Sequence, residues 1–160
     1  MSGLNPRTIA IHEAGHAVVA HRLGIPVVGM AIDEHFGQTG IQPPPAGAGR
    51  ARIERAATVA LAGSAASAIY QGVPYGFTPS VEIFADETRA TDLIGLINGI
   101  TTLEANALLH ELADRASQLL TDRHNWTLVE RLADELLVKG VLTAPDVAAI
   151  VPVSALDDVG

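Results

Sequence analysis

Positions 9, 12, 16, 19 and 23 carry Ile, His, His, Val and Leu. Recurrence at i, i+3 and i+4 draws one stripe along a helix and predicts that the stripe faces a core. The helix is expected over Pro6 to Leu23, because Asn5 suits the N-cap, Pro6 the first turn and Gly24 the stop. Pro26 to Asp33 then has the β-branched content of a strand, and Gln38 to Gln42 returns from a turn around Glu34 to Gly37. Pro43 to Gly49 reads as a loop. Arg50 to Gln71 predicts a long helix closed by Gly72, and its small residues (Ala56, Ala57, Ala60, Ala62, Gly63, Ala65, Ala66) permit close approach of the first helix.

Pro74, Gly76 and Pro79 make Val73 to Glu87 an irregular stretch, suited to the rim of a cleft. A helix is expected over Thr88 to Ile97, broken at Asn98-Gly99. Thr101 and Glu104 form a capping box for a helix to about Asp122, where His124-Asn125 interrupts. Trp126 to Lys139 is amphipathic and stops at Gly140; Thr143 with Asp146 caps a last short helix to Ile150. The fold class is therefore mainly α with a small β-hairpin or sheet. Residues 1–152 read as a single domain, and 153–160 as an acidic tail.

Composition narrows the function. Hydrophobic residues make up 48% and aromatics only 4%, so the core is aliphatic and favours closely packed helices. A net charge of −8, with Lys139 the single lysine, argues against nucleic acid or an anionic membrane as partner. Arg50, Arg52 and Arg55 read as the solvated first turns of their helix. The first ten residues lack the apolar core of a signal peptide, and the apolar run Ala56 to Tyr70 is too short and alanine-rich to span a bilayer. A soluble, cytoplasmic protein is expected. Without cysteine, any zinc must be held by His and carboxylate. The chain forms no P-loop, since Lys139 is followed by Gly140.

The candidate chemistry lies in His12-Glu13-Ala14-Gly15-His16. Two histidines four apart stand one above the other on a helix, so both imidazoles reach a single metal ion. Glu13 then points toward a water on that metal, from which it can take a proton as the water attacks a peptide carbonyl. Catalytic zinc sites carry a third protein ligand. Glu82, Asp86, Glu87 and Asp92 are the candidates, and spacing does not rank them. His35 and Tyr75 are candidates for stabilising the oxyanion, whereas His110 and His124 are expected on helix surfaces or ends. A strand beside the metal helix could also receive an extended peptide along its edge.

The run His12-Glu13-Ala14-Gly15-His16-Ala17-Val18-Val19 resembles the zinc helix of the peptidase domain of FtsH-type AAA+ proteases. Leu61 to Gly72 resembles the family helix that reads G-G-R-x-A-E-E-x-x-x-G. Ala90-Thr91-Asp92-Leu93 resembles the family's S-x-D-L segment, whose Asp is the third zinc ligand. Val27 to Gln42 and Leu119 to Ile150 are similar to the family's strand pair and closing helices.

The resemblance implies an FtsH peptidase-domain-like zincin helical fold. It also implies a zinc metalloendopeptidase, with His12, His16 and Asp92 as ligands and Glu13 as general base. The implied substrate is a peptide or unfolded protein. The AAA+ module and membrane anchor are missing from this sequence, so a separate AAA+ ATPase is the implied partner, and a homo-oligomer is left open. Ser64, Ser67 and Ala68 stand where the family has its Arg and paired Glu. That difference motivates the alternative, a zinc-binding regulatory or interaction module that keeps the peptidase fold with little turnover.

Overall fold

Asn5 opens the first helix as its type predicts, its side-chain oxygen accepting from the Arg7 N–H at 2.9 Å, with Pro6 in the first turn. The computed structural model describes residues 5–76 and 81–152, the side chains of 81–83 excepted, so the tail at 153–160 lies outside the described residues. Helix α1 runs Pro6–Arg22, strand β1 Val27–Ile32, strand β2 Gly37–Ile41 and helix α2 Arg50–Gln71. Helix α3 (Val81–Ile94), α4 (Thr102–Thr121), α5 (Arg123–Lys139), strand β3 (Val141–Thr143) and α6 (Ala144–Ile150) complete the order. The chain is mainly helical with a small antiparallel sheet.

Several boundaries depart from the pattern reading. Among the described residues helix α3 covers Val81–Ile94, so residues 81–87 are helical and not irregular and the helix stops short of Ile97, while 77–80 lie outside the described residues. Helix α5 begins at Arg123 because the Asp122 side chain accepts from the Asn125 N–H at 3.0 Å. His124 and Asn125 therefore start a helix and interrupt nothing. Finally, Val141–Thr143 is a strand: it pairs with β1 through Met30↔Leu142 and gives the sheet order β2-β1-β3. Three residues between a helix stop and a capping box offer too little periodicity to be read as strand.

Helix α2 is the central element, because its alanine-rich sequence lets it pack on two sides. On one side Ala62, Ala65 and Ala66 join Ala14, Val18 and Val19 of α1, with α5 and the sheet beyond. On the other, Ile53, Ala57 and Leu61 meet Ala90 and Ile94 of α3 and Leu108 and Leu112 of α4. The α1–α2 approach is set by Gly15, where an added Cβ would lie 2.5 Å from Ala66 Cβ and 2.9 Å from the Ala62 carbonyl oxygen. The small residues thus permit the close contact that the sequence suggests.

Arg52 and Arg55 are only half exposed and do more than solvate the α2 start. Arg52 donates to the Gln42 carbonyl at 2.9 Å and Arg55 to the Leu23 carbonyl at 3.2 Å, bracing the ends of β2 and α1. Among the described residues, no helix is long and apolar enough to cross a membrane.

Candidate metal centre

The α1 stripe brings His12 and His16 to the α2 side, where Gly63 stands opposite both rings. The two Nε2 atoms are 3.3 Å apart. Asp86, in α3, completes the group: Oδ2 lies 3.2 Å from His12 Nε2, and Oδ1 lies 3.4 Å from His16 Nε2. These three are the His/Asp/Glu group among the described residues whose donor atoms converge closely enough to hold one ion. Four donors placed tetrahedrally around zinc at about 2.0–2.1 Å are roughly 3.3–3.4 Å from one another. The two Nε2 atoms are separated by that edge length, and the Asp86 carboxylate meets each of them at a similar distance through a different oxygen, so two imidazoles and a carboxylate are gathered as a zinc site requires.

Gly63 explains how the rings find room. A Cβ at that position would lie 2.3 Å from His16 Nε2 and 2.5 Å from His12 Nε2. Any side chain there would occupy the space on which the two nitrogens converge, so glycine is required by close approach and not by backbone angle.

Each donor is held from behind, as metal ligands usually are. His16 Nδ1 donates to the Val59 carbonyl at 2.7 Å, which leaves the lone pair on Nε2 when the ring is neutral. His12 Nδ1 lies 3.1 Å from Ser67 Oγ. Asp86 Oδ2 accepts from Ser64 Oγ at 2.8 Å and from the Ser64 N–H at 3.2 Å. Ser64 and Ser67 therefore support the donors at the positions where the resembled family carries Arg and Glu. In the sequence these positions stand out only as departures from the family pattern, because their contacts are made across helices.

The third position corrects the sequence expectation. Asp92 is exposed and is not among the converging donors; Asp86 is. Six residues along a helix at 100° each turn Asp92 roughly 120° away from Asp86 around the axis. The early start of α3 is the reason: with the helix running from Val81, Asp86 is already in its second turn and faces α1 and α2. Glu87, one residue on, is half-buried and outside the cluster, and the Glu82 side chain lies outside the described residues.

Charge is concentrated here. Burial pulls the His16 pKa down, but the Asp86 charge and hydrogen bond outweigh it, with Glu13 and the Val59 carbonyl adding, and the ring is pushed up to about 9. Burial would raise the Asp86 carboxyl, yet the His16 charge and the hydrogen bonds of both rings hold it well below the usual carboxylate range. In the absence of a cation, then, a proton on His16 balances Asp86. Since the folded pKa lies above the unfolded value, that proton stabilises the fold below about pH 6.5 and its contribution is lost as pH rises through about 9.

A metal ion taken up by these donors would have to displace this proton. Zinc binding at about pH 7 should release one proton from His16, and apparent affinity should rise about tenfold per pH unit below the His16 pKa. Calorimetry in buffers of different ionisation enthalpy measures the release directly. A buffer-independent heat would contradict the protonated, ion-paired site.

Glu13 is buried and lies against β2 rather than among the three donors. Thr39 Oγ1 donates to its Oε2 at 2.5 Å and lies 3.1 Å from its backbone oxygen. Gly37 passes so close that an added Cβ would sit 2.5 Å from Glu13 Cγ. A cleft of about 260 Å³ runs over these groups, with His12, His16 and Glu13 in its floor, β2 along one wall, and Asp86, Arg89 and Leu93 of α3 along the other. Neither oxyanion candidate lines it. His35 is exposed in the β1–β2 turn, which Asp33 ties by accepting from the His35 and Phe36 N–H groups at 2.7 Å. Tyr75 packs between the two core clusters, where burial and the Glu87 and Asp86 charges push its phenol further up and keep it un-ionised. No known family model matches the chain, and no characterised protein matches it.

Proposed function

We propose that the chain is a zinc-dependent metallopeptidase whose metal is held by His12, His16 and Asp86 and whose general base is Glu13. The observation that carries this reading is the convergence of two imidazole nitrogens and a carboxylate at 3.2–3.4 Å separations in the floor of a cleft. A bound zinc would supply Lewis acidity, polarising a carbonyl and making water acidic enough to serve as nucleophile near neutral pH.

The chain's own residues supply the rest. Gly63 keeps the space beside the two Nε2 atoms clear, and Val59, Ser64 and Ser67 fix the orientation of the donors. Glu13, adjacent to His12, can accept a proton from water in the cleft and return it to the leaving amine. Thr39 limits how far its carboxylate can swing. The sheet order leaves β2 at an edge alongside the cleft, so an extended peptide can add to that edge by main-chain hydrogen bonds. The FtsH-like zincin assignment, a separate ATPase partner and a homo-oligomer belong to this proposal as well. So does a cytoplasmic location.

The alternative, a zinc-binding module with little turnover, is favoured by the loss of charged groups at Ser64, Ser67 and Ala68. The two readings separate in one experiment. Purified protein should contain one zinc per chain and cleave unfolded polypeptide. Chelation should abolish cleavage, and stoichiometric zinc should restore it. Full zinc occupancy without cleavage of any unfolded substrate would instead establish the binding module.

A further inference from the structure

Arg89 lies on α3 one turn beyond Asp86 and lines the same cleft. Among the described lining residues it is the one permanent cation, in a chain whose net charge is −8. None of the ion pairs among the described residues uses it. It is also exposed, which separates two roles that a cation beside a metal centre can take. Stabilising an oxyanion needs a donor preorganised in a water-excluded site. An exposed guanidinium on a flexible stem is poorly suited to that and well suited to meeting a charged group at a rim, where its planar fork matches a carboxylate.

The facing wall says what such a group would belong to. A peptide extended along β2 presents alternate side chains toward α3. There Arg89 and Leu93, four residues apart and so on one face, offer a polar and an apolar contact in succession. We infer that Arg89 selects peptides carrying a carboxylate side chain, Asp or Glu, beside the bond that sits over His12, His16 and Asp86. This inference rests on the peptidase reading, and it names the substrate class that the same cleft prefers.

The test uses three short blocked peptides, identical except for Glu, Gln or Lys at the central position. Their binding to zinc-loaded Glu13→Gln protein is read by fluorescence anisotropy, with and without Arg89→Glu. The Glu peptide should bind about two- to fivefold tighter than the Gln peptide, and the Lys peptide weakest. Arg89→Glu should reverse the order. An order unchanged by Arg89→Glu overturns the inference. So does an Arg89→Ala enzyme, with Glu13 intact, whose kcat falls equally for all three peptides while KM stays constant, because that pattern marks an oxyanion donor. The peptidase reading fails separately, if zinc-loaded wild-type protein binds the peptides with the expected order but cleaves none.

Discussion

Asp86→Ala should lower zinc affinity by more than about a hundredfold, while Asp92→Ala leaves it within about twofold. Removing Asp86 leaves two imidazoles, and it also removes the carboxylate that faces both of them at 3.2 and 3.4 Å. Asp92 is exposed on another face of the same helix and is not among the converging donors. Ser64→Ala should fall between, losing about tenfold, because Asp86 would keep its charge but lose the hydroxyl donated at 2.8 Å. Competition against a chromophoric zinc chelator measures all three. Folding is controlled by thermal unfolding in chelator, where the aliphatic core should keep each variant cooperative. If Asp92→Ala loses zinc and Asp86→Ala retains it, the arrangement of α3 described above is wrong.

That pair of variants also marks where the sequence stopped being legible. The placement of the two histidines could be read outright, since one helix supplies both and their spacing alone puts them on one face. Caps were equally local: Asn5, Thr101 with Glu104 and Thr143 with Asp146 all make the hydrogen bonds their spacing predicts. The third donor comes from a helix some seventy residues on. Its face depends on where α3 begins, and the Pro- and Gly-containing stretch before it obscured that start. The Thr91-Asp92-Leu93 triplet resembles a ligand segment and Ala85-Asp86 does not, although the two aspartates share one helix. The supporting shell was less legible still. Val59 contributes only a backbone carbonyl, Gly63 only an absence of side chain, and Ser64 and Ser67 are ordinary small helix residues until α1 and α3 are packed around them.

Glu13→Gln should retain one zinc per chain and lose about a hundredfold or more in turnover of unfolded polypeptide. The two halves of that expectation have separate causes. Zinc is retained because Glu13 lies outside the converging donors, its carboxylate directed at Thr39 and the β2 backbone. The amide has the same shape, its oxygen can still accept from Thr39 Oγ1, and it fits the narrow space that Gly37 leaves beside Glu13 Cγ. Turnover is lost because an amide oxygen is far too weak a base to take a proton from water. Since the peptide is expected to bind along β2 and α3, KM should change little and the loss should appear in kcat, the signature of an interaction made in the transition state. Steady-state kinetics beside zinc analysis of the same preparation reads both halves. Wild-type kcat with full zinc would remove Glu13 from the mechanism. Loss of zinc together with activity would show instead that Glu13 belongs to the metal site, and that its contact with Thr39 is exchanged for the metal when zinc binds.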